Sequence, residues 1–446
     1  MFESYEAYKY SWVEWIGEVP AHWKLKRIKD LAILQSGNSI ISEQIEQNGL
    51  YPVYGGGGLR GYFSKYTNNG NYILIGRQGA LCGNINYASG KFWASEHAVV
   101  VYLNRFTDLK WYGETLRVMN LNQYSVSAAQ PGLAVDRIKR LLLPVPLFSE
   151  QQAIAAYLDT KTAQIDRKID LLNQKATQYG KLKQSLINET VTRGLDKTVT
   201  MKNSGVDWVG EVPEHWGIKR VKEISTVFNG ATPKSSVAEN WDGELSWVTT
   251  DDLGKLNTKF ITDTKRKITE KGYASCGTTI CPIGSVVISG RAPIGHIGIL
   301  SIKASSNQGC KTLVLNHKVA NNLFIFYSLL SSKSKLEALG RGTTFIELST
   351  KELGLFNLPM PPFSEQTAIA NYLDEKTALI DQIITTINTQ IDKLKELRKT
   401  LINDVVTGKI KVFDENNKDK LKTDPVDSAK WRQGLDENVT IEANAS

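Results

Sequence analysis

At 446 residues the chain is too long for one ordinary hydrophobic core, so two or more domains are expected. Its 41% hydrophobic and 22% charged residues are those of a soluble globular protein, and a formal net charge of +8 suits a polyanionic partner whose condensed counterions Lys and Arg displace. Cys82, Cys276, Cys281 and Cys310 form no CxxC pair and the five histidines are scattered, so the expectation is buried free thiols and neither a zinc site nor a disulfide framework. With no signal-peptide pattern at Met1-Phe2-Glu3-Ser4 and no long apolar stretch, a cytoplasmic protein is expected.

The first recognisable segment is VEWIGEVP at 13–20, followed by His22-Trp23 and Lys26-Arg27-Ile28-Lys29. Trp15 and Trp23 read as core anchors. From about 37 to 143 the chain is rich in Gly, aromatic and β-branched residues, which predicts short strands and tight turns, with a helix over 108–119. Arg60, Arg77, Gln78 and Lys91 stand at these turns beside glycines. Arg reads guanine O6/N7, Gln and Asn read adenine N6/N7, and Lys meets phosphate, so these are candidate DNA contacts. Solvated turn residues of the same types are common, and the set carries more weight than any member.

PVPLFSEQQAIAAYLDTKTAQID at 144–166 reads as an extended, proline-held approach to a helix. Ser149 is the expected N-cap, Gln152 its capping-box partner, and Glu150 a first-turn acid favoured by the helix dipole. Apolar residues then return every seven positions at Leu158, Ile165, Leu172, Tyr179 and Leu186, a stripe narrow enough to suit one partner helix. Gly180 is the expected weak point.

The pattern then starts again. VDWVGEVP at 206–213, with His215-Trp216 and Lys219-Arg220-Val221-Lys222, repeats the first segment. A second insert, about 230–358, predicts strands and a helix over 321–339, and places Lys234, Arg291, Asn307, Gln308, Lys311 and Arg341 as candidate DNA contacts. PMPPFSEQTAIANYLDEKTALID at 359–381 repeats the helix start, with Ser364 as N-cap and Thr367 weakening the capping box. The second stripe is Leu373, Ile380, Ile387, Leu394 and Leu401. Framing segments stay alike while the inserts diverge, which suggests a constant frame holding two different payloads.

The expected architecture is α+β. Two insert domains, each a strongly curved sheet with helices, are separated by two long antiparallel coiled-coil helices of some 40 residues in a pseudo-two-fold repeat. The expected divisions are 1–148 and 195–363 for the two domains, 149–194 and 364–408 for the spacer helices, and 409–446 for a polar tail in which Trp431 hints at docking.

The doubled W(I/V)GEVPxHW and PxPxxSEQxAIAxYLDxKTAxID motifs, framing two unlike inserts, resemble the specificity subunit of type I restriction–modification enzymes. The first insert resembles one style of target-recognition domain (YPVYGGGG, IGRQGALCG, ASEHAVVV) and the second another (WDGELSWVTTDDL, GRAPIG, SNQGCKTL). The resemblance implies that each insert reads half of a split, asymmetric double-stranded DNA site and that the helices set the gap. It further implies docking of two methylation subunits, which use S-adenosylmethionine to methylate adenine at N6, and of two restriction subunits using ATP and Mg²⁺. The first and last segments would lie together, and the chain itself would be non-catalytic.

Two rivals are weighed on the residues. An enzyme reading lacks a GxxxxGK[ST] loop, a dinucleotide fingerprint and a (D/N)PP(Y/F) tetrapeptide, and leaves only the adjacent acids Asp251-Asp252 as imagined metal ligands. A coiled-coil scaffold that binds only proteins would not need the two basic-turn, strand-rich inserts.

Overall fold

The computed structural model describes residues 4–125, 132–341 and 346–412; the expected tail beyond residue 412, Trp431 included, lies outside the described residues. The chain divides into two compact units, Met1–Leu171 with Gln390–Ser446, and Leu172–Thr389.

In the first unit, strands Tyr8–Tyr10 and Glu18–Pro20 pair antiparallel, and Lys24–Arg27 pairs with Leu142–Val145, so the two ends of the insert meet on the frame. The insert resolves into two four-stranded sheets. One runs in the order Ala32–Ser36, Ala98–Leu103, Tyr72–Gly76, Ile85–Ala88, with all neighbours antiparallel. Its β-branched runs are buried on both faces. Ile73, Ile75, Val99 and Val101 pack with Trp111 and Leu116, while Leu74 and Val100 pack with Phe92 and Ala94, as period-two alternation requires. The other sheet joins Gly58–Phe63, Tyr51–Gly55, Lys91–Ala94 and Asn68–Asn69. The helix Leu109–Val118 starts where the Asp108 carboxylate accepts from the Lys110 and Trp111 amides at 2.9 and 3.0 Å.

The second unit repeats the frame with Met201–Asn203 on Glu211–Pro213 and Gly217–Arg220 on Asn357–Met360. Its main sheet runs Ser225–Asn229, Cys310–Leu315, Val286–Ser289, Ile297–Leu300, Phe260–Ile261. The first four strands have the same order and directions as the first unit's sheet, although the two inserts share little sequence. A three-stranded sheet (Lys267–Ile268, Trp241–Val248, Ser305–Ser306) flanks it. The expected helix over 321–339 breaks into Asn322–Ser331 and Lys333–Leu339. The Ser328 and Ser332 hydroxyls donate back to the Phe324 and Ser328 carbonyls, a competition that bends helices without proline.

The long helices are Phe148–Arg193 and Phe363–Val406, 46 and 44 residues, about 65–70 Å each at 1.5 Å per residue. The first passes through Gly180 unbroken. In the first unit the start of one packs on the end of the other, with Ile154 and Leu158 against Leu401, Ile402 and Val405, and Arg398 pairs with Asp166 at 3.0 Å. In the second unit Ile187 and Val191 meet Ile369 and Leu373, and Lys183 pairs with Asp381 at 2.7 Å. The helices are therefore antiparallel, and the two ion pairs occupy equivalent positions of the repeat. Leu158, Leu373, Ile380, Ile387 and Leu401 are buried, and Ile165, Leu172, Tyr179, Leu186 and Leu394 are half-buried.

The helix starts differ from expectation. Both begin one residue earlier, at Phe148 and Phe363, so Ser149 and Ser364 fall inside the first turn and make no capping bond among the described residues. Gln152 is exposed, and the box it was to close does not form. The Gln151 and Gln366 amides instead donate to the Pro146 and Pro361 carbonyls at 3.1 and 2.9 Å. Glu150 does more than complement a dipole. Its side chain is 1% exposed and accepts from Tyr5 Oη at 2.5 Å and Trp23 Nε1 at 3.0 Å, with His22 Nε2 at 3.0 Å. Glu365 does the same for Trp216 Nε1 and His215 Nε2. Trp23 and Trp216 are core anchors, and Trp15 and Trp208 pack against the same cores. The first and last described segments also meet: Tyr8 Oη donates to the Gly408 carbonyl at 3.1 Å.

Candidate nucleic-acid interface

Most of the candidate residues lie at one corner of each main sheet. In the first unit, the strand Tyr72–Gly76 ends at Arg77, whose amide donates to the His97 carbonyl at 2.8 Å and whose Nη1 lies 3.3 Å from Ser36 Oγ. Gln78 follows, exposed, and bridges to Gly132. The glycine run packs into this corner. A Cβ on Gly56 would lie 3.0 Å from the Gln78 carbonyl and 3.3 Å from that of His97, and one on Gly55 would meet Arg60 Cδ at 2.5 Å. Arg60, Arg77, Gln78 and His97 are thereby brought together. Lys91 is not among them. It opens the strand Lys91–Ala94 at the end away from this corner, with its ammonium 4.8 Å from the centre of the Tyr66 ring.

In the second unit the corner is built by Val286–Ser289 and by the loop before Cys310–Leu315. The Gly290 amide donates to the Gly309 carbonyl at 2.7 Å, and Arg291 bridges to Glu347. Asn307 Oδ1 accepts from the Gly309 amide, and Gln308 hydrogen-bonds Thr232. Arg341 is 84% exposed and pairs with Glu352 at 2.7 Å, while its backbone pairs with Glu347. Lys234 is exposed on the loop after Gly230, and its carbonyl accepts from Trp241 Nε1.

Lys311 is the correction. The nearby glycine predicts a turn residue free to reach phosphate, but Lys311 sits inside the strand Cys310–Leu315 with its side chain 2% exposed. Its ammonium donates to Glu347 Oε1 at 2.8 Å and to Asn229 Oδ1. The cation is satisfied internally and presents nothing to a groove. Burial alone would push the Glu347 carboxyl up, but hydrogen bonds and charge from Lys311 and Arg291 outweigh it and hold the group below the usual carboxylate range.

Strand register aligns the two corners residue by residue. Val99 stands opposite Ser36 and Ile75; Lys311 stands opposite Asn229 and Ile288. Gln78 therefore corresponds to Arg291, and Gly132 to Glu347. The same backbone carries an amide in one unit and a carboxylate-braced guanidinium in the other.

Glu347, Asn229 and Arg266 stand at this surface without any sequence signal that marks them. Arg266 lies 3.7 Å from the centre of the Trp241 ring and 5.5 Å from that of Trp247, is exposed, and forms no ion pair among the described residues. Nothing local marks it, because the tryptophans that hold it are on another strand. Asp251 and Asp252 are not poised for a metal. Asp251 pairs with Lys255 at 2.7 Å, and Asp252 caps its helix through the Thr249 amide and hydroxyl. No group of three or more His, Cys, Asp or Glu that could hold a metal ion occurs among the described residues.

The family described as type I restriction modification DNA specificity domain matches twice, over residues 20–178 and 213–393, one copy for each frame and insert. The chain belongs to this family. Among curated specificity subunits, that of the EcoprrI enzyme of Escherichia coli is 40% identical over 166 residues, 36% of this chain and 39% of that one. The MjaVIII specificity subunit of Methanocaldococcus jannaschii is 27% identical over 419 residues, 89% of this chain and 95% of that one. The alignments with the EcoprrI and the Methanocaldococcus jannaschii MjaIX subunits span only about two fifths of those proteins. Among solved structures, a chain from work on complex assembly and conformational transition of the type I R-M system superposes with a TM-score of 0.69 at 17% identity, covering 87% of this chain and 98% of that one. The HsdS subunit of Thermoanaerobacter tengcongensis gives 0.51 at 17% identity, over 88% and 98%. The specificity-domain fold, duplicated, is the architecture described above. No described helix is long and apolar enough to cross a membrane.

Proposed function

We propose that this chain is the DNA sequence-recognition subunit of a type I restriction–modification complex, in which each insert reads one half of a bipartite, asymmetric site. The observation that carries this reading is one sheet corner built twice with different side chains: Arg60, Arg77 and Gln78 in one copy, Arg291, Asn307 and Gln308 in the other. Amide and guanidinium groups on glycine-rich turns suit base edges, and a buried sheet fixes their origin. The paired long helices act as the ruler for the unread gap and as the docking face for two methylation subunits. Leu182 and Leu397, at equivalent positions of the repeat, are 53% and 54% exposed there, as a protein-covered helix face would be.

On this reading the chain is non-catalytic and works in the cytoplasm. The assembled complex, with two restriction subunits, is a site-specific endonuclease and adenine-N6 methyltransferase, and its S-adenosylmethionine, ATP and Mg²⁺ bind the partner subunits. The test is methylation-site mapping in a host expressing this chain with its methylation subunit. A split, non-palindromic motif is expected, and a palindromic one counts against two unlike readers. A gel shift across a salt series should keep sequence preference while affinity falls; no preference at any salt points to a protein-only scaffold.

A further inference from the structure

Arg291 and Lys311 are drawn to the same carboxylate, yet they use it differently. Lys311 is buried and gives its ammonium to Glu347 Oε1 and Asn229 Oδ1. Arg291 gives only its Nε, 3.1 Å from Glu347 Oε2, and its side chain is 43% exposed. Its Nη1 and Nη2 donors have no hydrogen bond among the described residues. A guanidinium gripped at Nε keeps the paired Nη edge that matches guanine O6 and N7. The brace argues against a phosphate contact, because a carboxylate beside the arginine would repel the phosphate. Glu347 is itself locked from below by Lys311, so the guanidinium loses little freedom on engaging a base.

We propose that Glu347, seated on the buried Lys311, is a positioning residue that presents Arg291 to a guanine in the half-site of the second domain. The equivalent pair in the first domain, Gln78 opposite Gly132, has no such carboxylate. This rests on the reading of the chain as a DNA-recognition subunit. Glu347 acts through Arg291 and touches no base.

The experiment uses the chain assembled with its methylation subunits and competition gel shifts against all four bases at each position of the second half-site. R291A should flatten the preference at one guanine by roughly 5- to 150-fold, the range for one bidentate contact. E347Q, which keeps shape and removes charge, should weaken preference at that same position and leave the first half-site unchanged. In the R291A background, E347Q should have no further effect on base preference, whereas a merely structural role would lower binding to every sequence in either background. Additive effects in the double variant, a change at a different position, or a uniform loss would overturn the proposal alone. A wild-type complex without any sequence preference would overturn both the proposal and the function it rests on.

Discussion

Glu150→Ala perturbs the clasp that ties the opening segment to the first long helix. The carboxylate, 1% exposed, is lost from three partners at once: Tyr5 Oη, Trp23 Nε1 and His22 Nε2. His22 is 46% exposed and can turn to water, but the Trp23 indole is fully buried and Tyr5 is half-buried. Leaving the buried Trp23 donor unpaired costs about 1–3 kcal/mol and the half-buried Tyr5 donor somewhat less, about 1–2 kcal/mol, so a loss of about 2–5 kcal/mol is expected. Glu365→Ala is the internal control. Glu365 is 27% exposed and, among the described residues, serves only Trp216 and His215, so one buried donor is orphaned and about 1–3 kcal/mol is expected. Urea unfolding followed by hydrogen-exchange mass spectrometry resolves the two frames separately, as a multidomain chain requires. A loss under about 1 kcal/mol for Glu150→Ala, or a larger loss for Glu365→Ala, would refute the claim that these carboxylates hold the frame together.

Inserting about four residues near Ala176 or Lys183 should lengthen the unread gap while both half-sites stay the same, read by methylome sequencing; unchanged spacing defeats the ruler. Arg266→Ala should weaken binding to all DNA sequences evenly and lower the salt slope by about one, with base preference intact, if its tryptophan-stacked guanidinium meets phosphate. In the folded protein a thiol reagent at pH 8 should modify half-buried Cys276 and spare Cys82, Cys281 and Cys310. Burial pushes Cys310 from 9.0 up to about 12 and Cys281 to about 11. A raised folded value favours the neutral thiol, so this stabilisation is present below pH 9 and is lost as pH rises toward 11–12, which alkaline denaturation of Cys310→Ser against wild type will read.

The repeated clasp shows where linear pattern sufficed. His22-Trp23 and His215-Trp216, with Glu150 and Glu365, are legible as duplicated words because a frame used twice preserves its local contacts. The heptad stripes are legible for the same reason, since a period of seven directly expresses which helix face is covered. Helix starts were misplaced by one residue because the decisive partner of Glu150 is some 130 residues away along the chain (Trp23), so a local capping pattern could not rank it.

What the sequence determined by itself was the plan: the two frames, the two unlike inserts, the paired helices and the glycine-turn candidates. Tertiary structure alone decided that the dissimilar inserts share one sheet, that Gln78 and Arg291 stand at one position, and that Lys311 faces inward. The physical reason is that strand neighbours are fixed by pairing across the fold. Whether a lysine meets a phosphate or an internal carboxylate depends on which strand lies beside it, and Glu347 reaches Lys311 and Arg291 only once the sheet has closed.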